Sequence, residues 1–131
     1  MLTDINTMKQ KTKKTLVVGA SENPARFSYK AVRMLQEYDH EVYALGNRTG
    51  QIFGININTA WPESHDIHTV SLYVGPARQN DEFINNIIRL NPKRIIFNPG
   101  TENPHLKQRA SAAGIEVVQD CTLVMLQSGL F

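Results

Sequence analysis

The run Thr15-Leu16-Val17-Val18 breaks at Gly19 and continues as Ala20-Ser21-Glu22-Asn23-Pro24. An apolar stretch closed by glycine, followed by small turn-forming residues and then a helical pattern, predicts a buried strand feeding a phosphate-binding turn. Glycine admits backbone conformations that a Cβ forbids, and Ala20 and Ser21 leave room for a ligand against exposed amides. The helix expected over about 28–38 points its positive end at the same place. A dinucleotide fingerprint starting at Gly19 would need glycines where this chain has Ser21 and Pro24. The turn therefore resembles a Rossmann turn without specifying NAD.

The rest of the chain repeats the alternation of strand and helix. Apolar runs at Thr15 to Gly19, Glu41 to Leu45, Thr69 to Val74, Arg94 to Phe97 and Ile115 to Val118 are separated by helical stripes. One stripe holds Tyr29, Val32 and Leu35, another Phe83, Ile84, Ile87 and Ile88, and a third Leu106, Ala110 and Ala113. A last helix is expected over about 122–127. Such alternation builds a parallel sheet, and right-handed crossovers favour an α/β, Rossmann-like, three-layer fold. We expect five parallel strands in the order 3-2-1-4-5 with helices on both faces. The ligand crevice should open at the carboxyl ends of strands one and four, where that order reverses. The segment 46–66 is the exception, predicted to form short extended pieces around Ile55 and Ile57 and a turn of helix near Trp61 or Pro62.

Length and charge exclude several classes. A chain of 131 residues, 41% hydrophobic and 20% charged, fits one domain that buries roughly two thirds of its unfolded surface. No apolar run approaches the roughly 20 residues of a membrane span, and the N-terminus does not read as a signal peptide. The expectation is a cytoplasmic protein. The formal charge of +2 comes from the N-terminus: Lys9, Lys11, Lys13 and Lys14 precede the first strand, and from Thr15 onward ten basic residues face eleven acidic ones. Residues 1–14 read as a polar, basic leader ahead of a domain over 15–131. A solvated terminus accounts for that cluster better than a nucleic-acid arm.

Three further features carry candidate chemistry. Phe97-Asn98-Pro99-Gly100-Thr101-Glu102-Asn103-Pro104 has the makings of a site loop: Asn98 is biased to extended geometry by Pro99, Gly100 permits close approach, and Thr101 or Asn103 can cap the next helix. After the second strand, Gly46-Asn47-Arg48 puts a guanidinium where a dinucleotide site presents a ribose-binding carboxylate. That favours a phosphorylated ribose, as in coenzyme A or NADP. Cys121, the only cysteine, stands at a strand–helix junction, where such residues are more often small buried hydrophobes than nucleophiles. His65 and His68 flank Asp66 with no third ligand nearby, so no metal site is assigned. His40 and His105 have no nucleophile partner.

Taken together, Val18 to Pro24 with Arg26, Ser28 and Tyr29, then Phe97 to Asn103, then Asp120-Cys121-Thr122-Leu123-Val124-Met125-Leu126 resemble the small bacterial and archaeal CoA-binding domain proteins. The likeness runs from about Lys13 to Phe131. It implies a stand-alone domain similar to the CoA-binding domain of the succinyl-CoA synthetase alpha subunit. By that resemblance Gly19, Ala20, Ser21 and Arg26 cradle phosphates, and Asn47 and Arg48 meet the adenosine end. Val74, Pro76, Asn98, Pro99 and Gly100 line the pantetheine path, and Cys121 lies near the thiol end. Two departures stand out. Relatives commonly have Asn-Pro-Lys after strand two where this chain has Gly46-Asn47-Arg48, and the synthetase's phosphorylated histidine belongs to a domain with no counterpart here.

The expected function is binding of coenzyme A or an acyl-CoA, as carrier, sensor or accessory module without catalysis of its own. No nucleic acid or membrane is implied, and hydrophobic helices offer surfaces on which two subunits can pair. The alternatives are an NAD(P)-binding protein, CoA-linked thiol exchange at Cys121, and an interaction module with a vestigial site.

Overall fold

The computed structural model describes residues 12–131. The chain runs β1 (Thr15–Val18), α1 (Phe27–Glu37), β2 (Val42–Leu45), β3 (Gly50–Ile52), β4 (Ile55–Asn58), β5 (Thr69–Leu72), a 3-10 turn (Pro76–Arg78), α2 (Asp81–Leu90), β6 (Arg94–Phe97), α3 (Pro104–Ala112), β7 (Glu116–Gln119) and α4 (Thr122–Ser128). One sheet takes the order β3-β4-β2-β1-β5-β6-β7. β1 lies centrally, Thr15–Val18 pairing in parallel with Val42–Leu45 on one side and Thr69–Leu72 on the other. β3 and β4 are the antiparallel pair.

The Rossmann-like α/β class holds, but the sheet has seven strands rather than five, and the order 3-2-1-4-5 is not adopted. The strand at Thr69 pairs directly with β1, so the five expected strands lie in the order 2-1-3-4-5. The segment 46–66 supplies the difference. Its β4 takes the place beside β2 that the expected order gave to Thr69, and no helix forms around Trp61. The turn joining β3 to β4 is Phe53-Gly54, between the paired Ile52 and Ile55, with φ of 46° and 82°. Two successive positive φ values make a two-residue hairpin whose twist matches the strands, a turn ordinarily announced by Asn-Gly. Here a phenylalanine occupies the first position. Its ring lies 4.4 Å from the Arg33 guanidinium and meets Tyr29 edge-on at 6.0 Å.

Strand residues alternate between two cores. Leu16, Val18, Val70, Leu72, Ile95 and Phe97 face α2 and α3, meeting Ile84, Ile87, Leu90, Leu106 and Ala110. Val17, Ala44, Ile57 and Ile96 face α1 and α4, meeting Val32, Leu35, Met125 and Leu126. Helices on both faces explain why β1, β5 and β6 are buried at every position. Helix ends follow local chemistry. The Asn80 side chain caps α2 through the Phe83 amide, Asn91 ends that helix in the left-handed region, and Asn103 caps α3 ahead of Pro104. No helix among the described residues is long and apolar enough to cross a membrane.

Two polar clusters tie the sheet to its surroundings. At the carboxyl edge, Asn98 is buried; its amide donates to Ser71 Oγ (2.9 Å) and the Leu72 carbonyl (2.7 Å), and its Oδ1 accepts from the Thr122 amide (2.8 Å). One side chain thereby joins β5, β6 and the start of α4. At the amino edge, Arg94 donates to Thr69 Oγ1 and to the Phe131 carbonyl and stacks on the Phe131 ring at 4.4 Å. Lys13 Nζ reaches the same carbonyl at 2.6 Å, and the Lys13 amide donates to His40 Nδ1. Lys14 pairs with Asp66 and Glu41 at 3.1 and 3.2 Å. The predicted leader over 1–14 thus ends in two docked lysines. Its residues 1–11, with Lys9 and Lys11, lie outside the described residues.

Asn98→Ala should cost about 3 kcal/mol, because the Leu72 carbonyl and the Thr122 amide lose their partners inside the protein. A denaturant titration checks this, the midpoint falling at unchanged m-value; a loss below about 1 kcal/mol would show that the brace is dispensable.

Acid should destabilise the fold through the amino-edge histidines. Burial first, then the Lys13 and Arg94 charges, lower the pKa of His40; burial, then Arg94, Lys13 and Lys93, lower that of His68. The unfolded chain therefore binds protons that the fold refuses. Stability is fully present above the ordinary histidine value of about 6.5 and falls as pH drops below it. Thermal midpoints between pH 8 and pH 5 read this out, and His40→Asn should flatten part of the fall.

Candidate functional site

β1 delivers the chain to the carboxyl edge of the sheet at the point where winding reverses. β2 and β4 continue on one side and β5 to β7 on the other, so the crevice opens between β1 and β5 rather than between β1 and the Arg94 strand. The Gly19 and Ala20 amides both donate to the Leu45 carbonyl at 2.9 Å. Gly19 has φ of 98°, and a Cβ there would meet Val74 Cγ2 at 3.0 Å and Tyr73 C at 3.1 Å. A Cβ at Gly46 would collide with the Ala20 carbonyl oxygen. Glycine is needed at Gly46 because the chain after β2 rests directly on the turn after β1, and at Gly19 because its φ is positive and the chain after β5 presses against it.

This bonding changes the expected donor set. The Gly19 and Ala20 amides are used inside the fold, whereas those of Ser21 and Glu22, and of Phe27, Ser28 and Tyr29 in the first turn of α1, meet no acceptor among the described residues. Arg26 occupies the N-cap of α1, no side chain caps that end, and its first turn holds no acidic residue. Ser21 Oγ accepts from the Asn23 amide (3.1 Å) and Asn23 Oδ1 from the Ala25 amide (3.0 Å). These bonds fold the turn back so that the start of α1 faces the crevice.

The crevice is a cleft of about 1170 Å³. Of the residues expected from sequence, Gly19, Ala20, Ser21, Arg26, Asn47, Arg48, Val74, Pro99 and Gly100 line it. Three do not. Asn98 is turned into the core as the brace described above, its amide bonded to Ser71 Oγ and the Leu72 carbonyl. Pro76 opens the 3-10 turn while its neighbours Gly75 and Ala77 form the wall. Cys121 is the N-cap of α4, its amide held by Asp120 Oδ1 at 2.7 Å. The loop after β6 is bonded internally as well, Gly100 to Glu102 and Thr101 to the Asn98 carbonyl, so it contributes shape more than donors.

Other lining residues carry no motif. Arg78, Trp61, Phe83, Tyr73 and Ser28 join the wall. Buried Gln79 donates to the Val74 and Thr101 carbonyls at 2.9 and 2.8 Å, tying the loops after β5 and β6 together. Burial pushes the Tyr73 hydroxyl up to about 12, which keeps it a neutral donor. The charged lining residues are Arg26, Arg48, Arg78 and Glu22. The Glu22 carboxylate accepts from the Gln51 amide at 3.1 Å, leaving an arginine-rich cleft around unpaired backbone donors. That combination suits an extended polyanion with apolar parts.

Among solved structures, one described as an uncharacterized protein is 43% identical, covering 92% of this chain and 98% of that one with a TM-score of 0.87. A hypothetical protein from Pyrococcus horikoshii OT3 is 24% identical over 99% of this chain and 92% of its own, with a TM-score of 0.80. A protein from Thermus thermophilus is 20% identical over 98% of each chain, with a TM-score of 0.80. The last two show likeness of fold. A search of curated proteins returns no match. The profile of the CoA binding domain family matches residues 13–127, nearly the whole described chain, and the protein belongs to that family.

Proposed function

We propose that the chain binds coenzyme A or an acyl-CoA in this cleft and acts as a carrier, sensor or accessory module without catalysis of its own. The observation that carries the reading is the uncapped start of α1, which stands with the Ser21 and Glu22 amides at the foot of a cleft bearing three arginines and one glutamate. Backbone donors aligned with a helix dipole suit a pyrophosphate. Arg48, beyond β2, suits a phosphate on the ribose, which a carboxylate there would repel. Coenzyme A has both groups. The cleft lining holds neither histidine nor cysteine, and its one carboxylate is engaged by Gln51, which supports a binding role over a catalytic one. A single free thiol at Cys121 agrees with a cytoplasmic protein.

Thermal stability with coenzyme A, acetyl-CoA, NAD, NADP and ADP tests the ligand. Ligand at 100 times its Kd adds about 2.7 kcal/mol, roughly ten degrees for a chain of this size. The expected shift comes with the CoA compounds; a shift with NADP alone, or with none, overturns the reading. Ser21→Trp should abolish binding with little loss of fold. Arg48→Ala should weaken coenzyme A about tenfold while leaving dephospho-CoA almost unchanged, and equal loss for both would move the ribose phosphate away from Arg48.

A further inference from the structure

Resting on the coenzyme A reading, we propose that Trp61 and Phe83 form the wall against which the adenine ring stacks. Neither residue belongs to a motif, and they come from different elements: Trp61 follows β4, and Phe83 lies in the opening turn of α2. Their rings meet edge to face at 5.3 Å with planes 81° apart. Both are partly buried against the core on the α2 side of the sheet, and both line the cleft. The Phe83 amide is held by the Asn80 cap at 2.9 Å, which fixes the start of the helix that presents the ring. In an edge-to-face pair the edge-on ring keeps its faces clear of its partner, so this wall offers aromatic surface to a third ring.

The position selects the occupant. Strand order puts β4 and β2 on one flank of β1 and β5 and β6 on the other, with the free amides of the turn and α1 between them. Trp61 belongs to the first flank, with Asn47, Arg48 and Thr59 as fellow lining residues. A ligand whose pyrophosphate meets the turn and whose ribose phosphate meets Arg48 carries its base to that flank. Its pantetheine arm then leaves past Pro99, Gly100 and Thr101. A purine has two flat faces and a polar rim; Asn47 and Thr59 offer hydrogen bonds to such a rim, and an acyl chain would leave them unused.

Trp61 is the only tryptophan, so its fluorescence reports on the wall alone. The full chain is titrated with coenzyme A, adenosine 3′,5′-bisphosphate and 4′-phosphopantetheine, by fluorescence and by calorimetry. The two adenine compounds should change the emission and phosphopantetheine should not. Trp61→Ala should weaken both adenine compounds about tenfold or more, and Trp61→Phe much less. Phe83→Leu, expected to weaken them in the same direction, serves if Trp61→Ala fails to fold. Coenzyme A binding with emission and Trp61→Ala affinity both unchanged overturns the wall and leaves the coenzyme A reading standing. A response to phosphopantetheine alone also overturns it, by putting the other arm there. A wild-type chain that binds none of the three overturns reading and wall together.

Discussion

The cleft exists because one carbonyl oxygen, that of Leu45, accepts both the Gly19 and the Ala20 amide. That pair of bonds pins the turn after β1 to the end of β2. The chain after β2 must then pass directly over Ala20, which is why residue 46 carries no side chain. With its first two amides engaged, the turn leaves its next two, Ser21 and Glu22, to join the uncapped start of α1. Engaging some donors inside the fold leaves the remaining ones to line the cleft together.

The carboxyl edge of the sheet depends on a second, buried arrangement. Asn98 satisfies a β5 carbonyl, the Ser71 hydroxyl and the first amide of α4, and Ser71 also meets Thr122 at 2.8 Å. Its position at a strand end beside a proline is what a ligand-binding asparagine would have; its burial gives it a structural task. The helix whose first amide it holds is α4.

What could be read from the chain follows from how local each signal is. The strand closing at Gly19, the α2 stripe and the Asn103-Pro104 helix start are written in contiguous residues. The α1–β2 and α2–β6 connections obeyed the same local rules. The hairpin did not, because Phe53 adopts a positive φ that its side chain does not advertise and that Arg33 and Tyr29, distant in sequence, support. The extended piece at Ile55 and Ile57 is legible as such, but its place beside β2 is not, and so the expected order puts the Thr69 strand on the wrong side of the sheet. The direction of Asn98 and the meeting of Trp61 with Phe83 are consequences of packing between separate elements, so no spacing rule could supply them. Only Gly46 left a trace, as a glycine directly after a strand, the same sign that marked Gly19.

The hairpin illegible in the sequence turns out to belong to the site. Glu22, in the turn itself, accepts the Gln51 amide at the start of β3, and Gly50 makes room for its carboxylate. The bond ties the segment 46–50 to the turn after β1, and Asn47 and Arg48 line the same cleft as Ser21 and Glu22. It also engages the one acidic group in the lining. The one acidic residue of the lining thus has a backbone amide for its partner, and its work is to position the loop that carries Arg48.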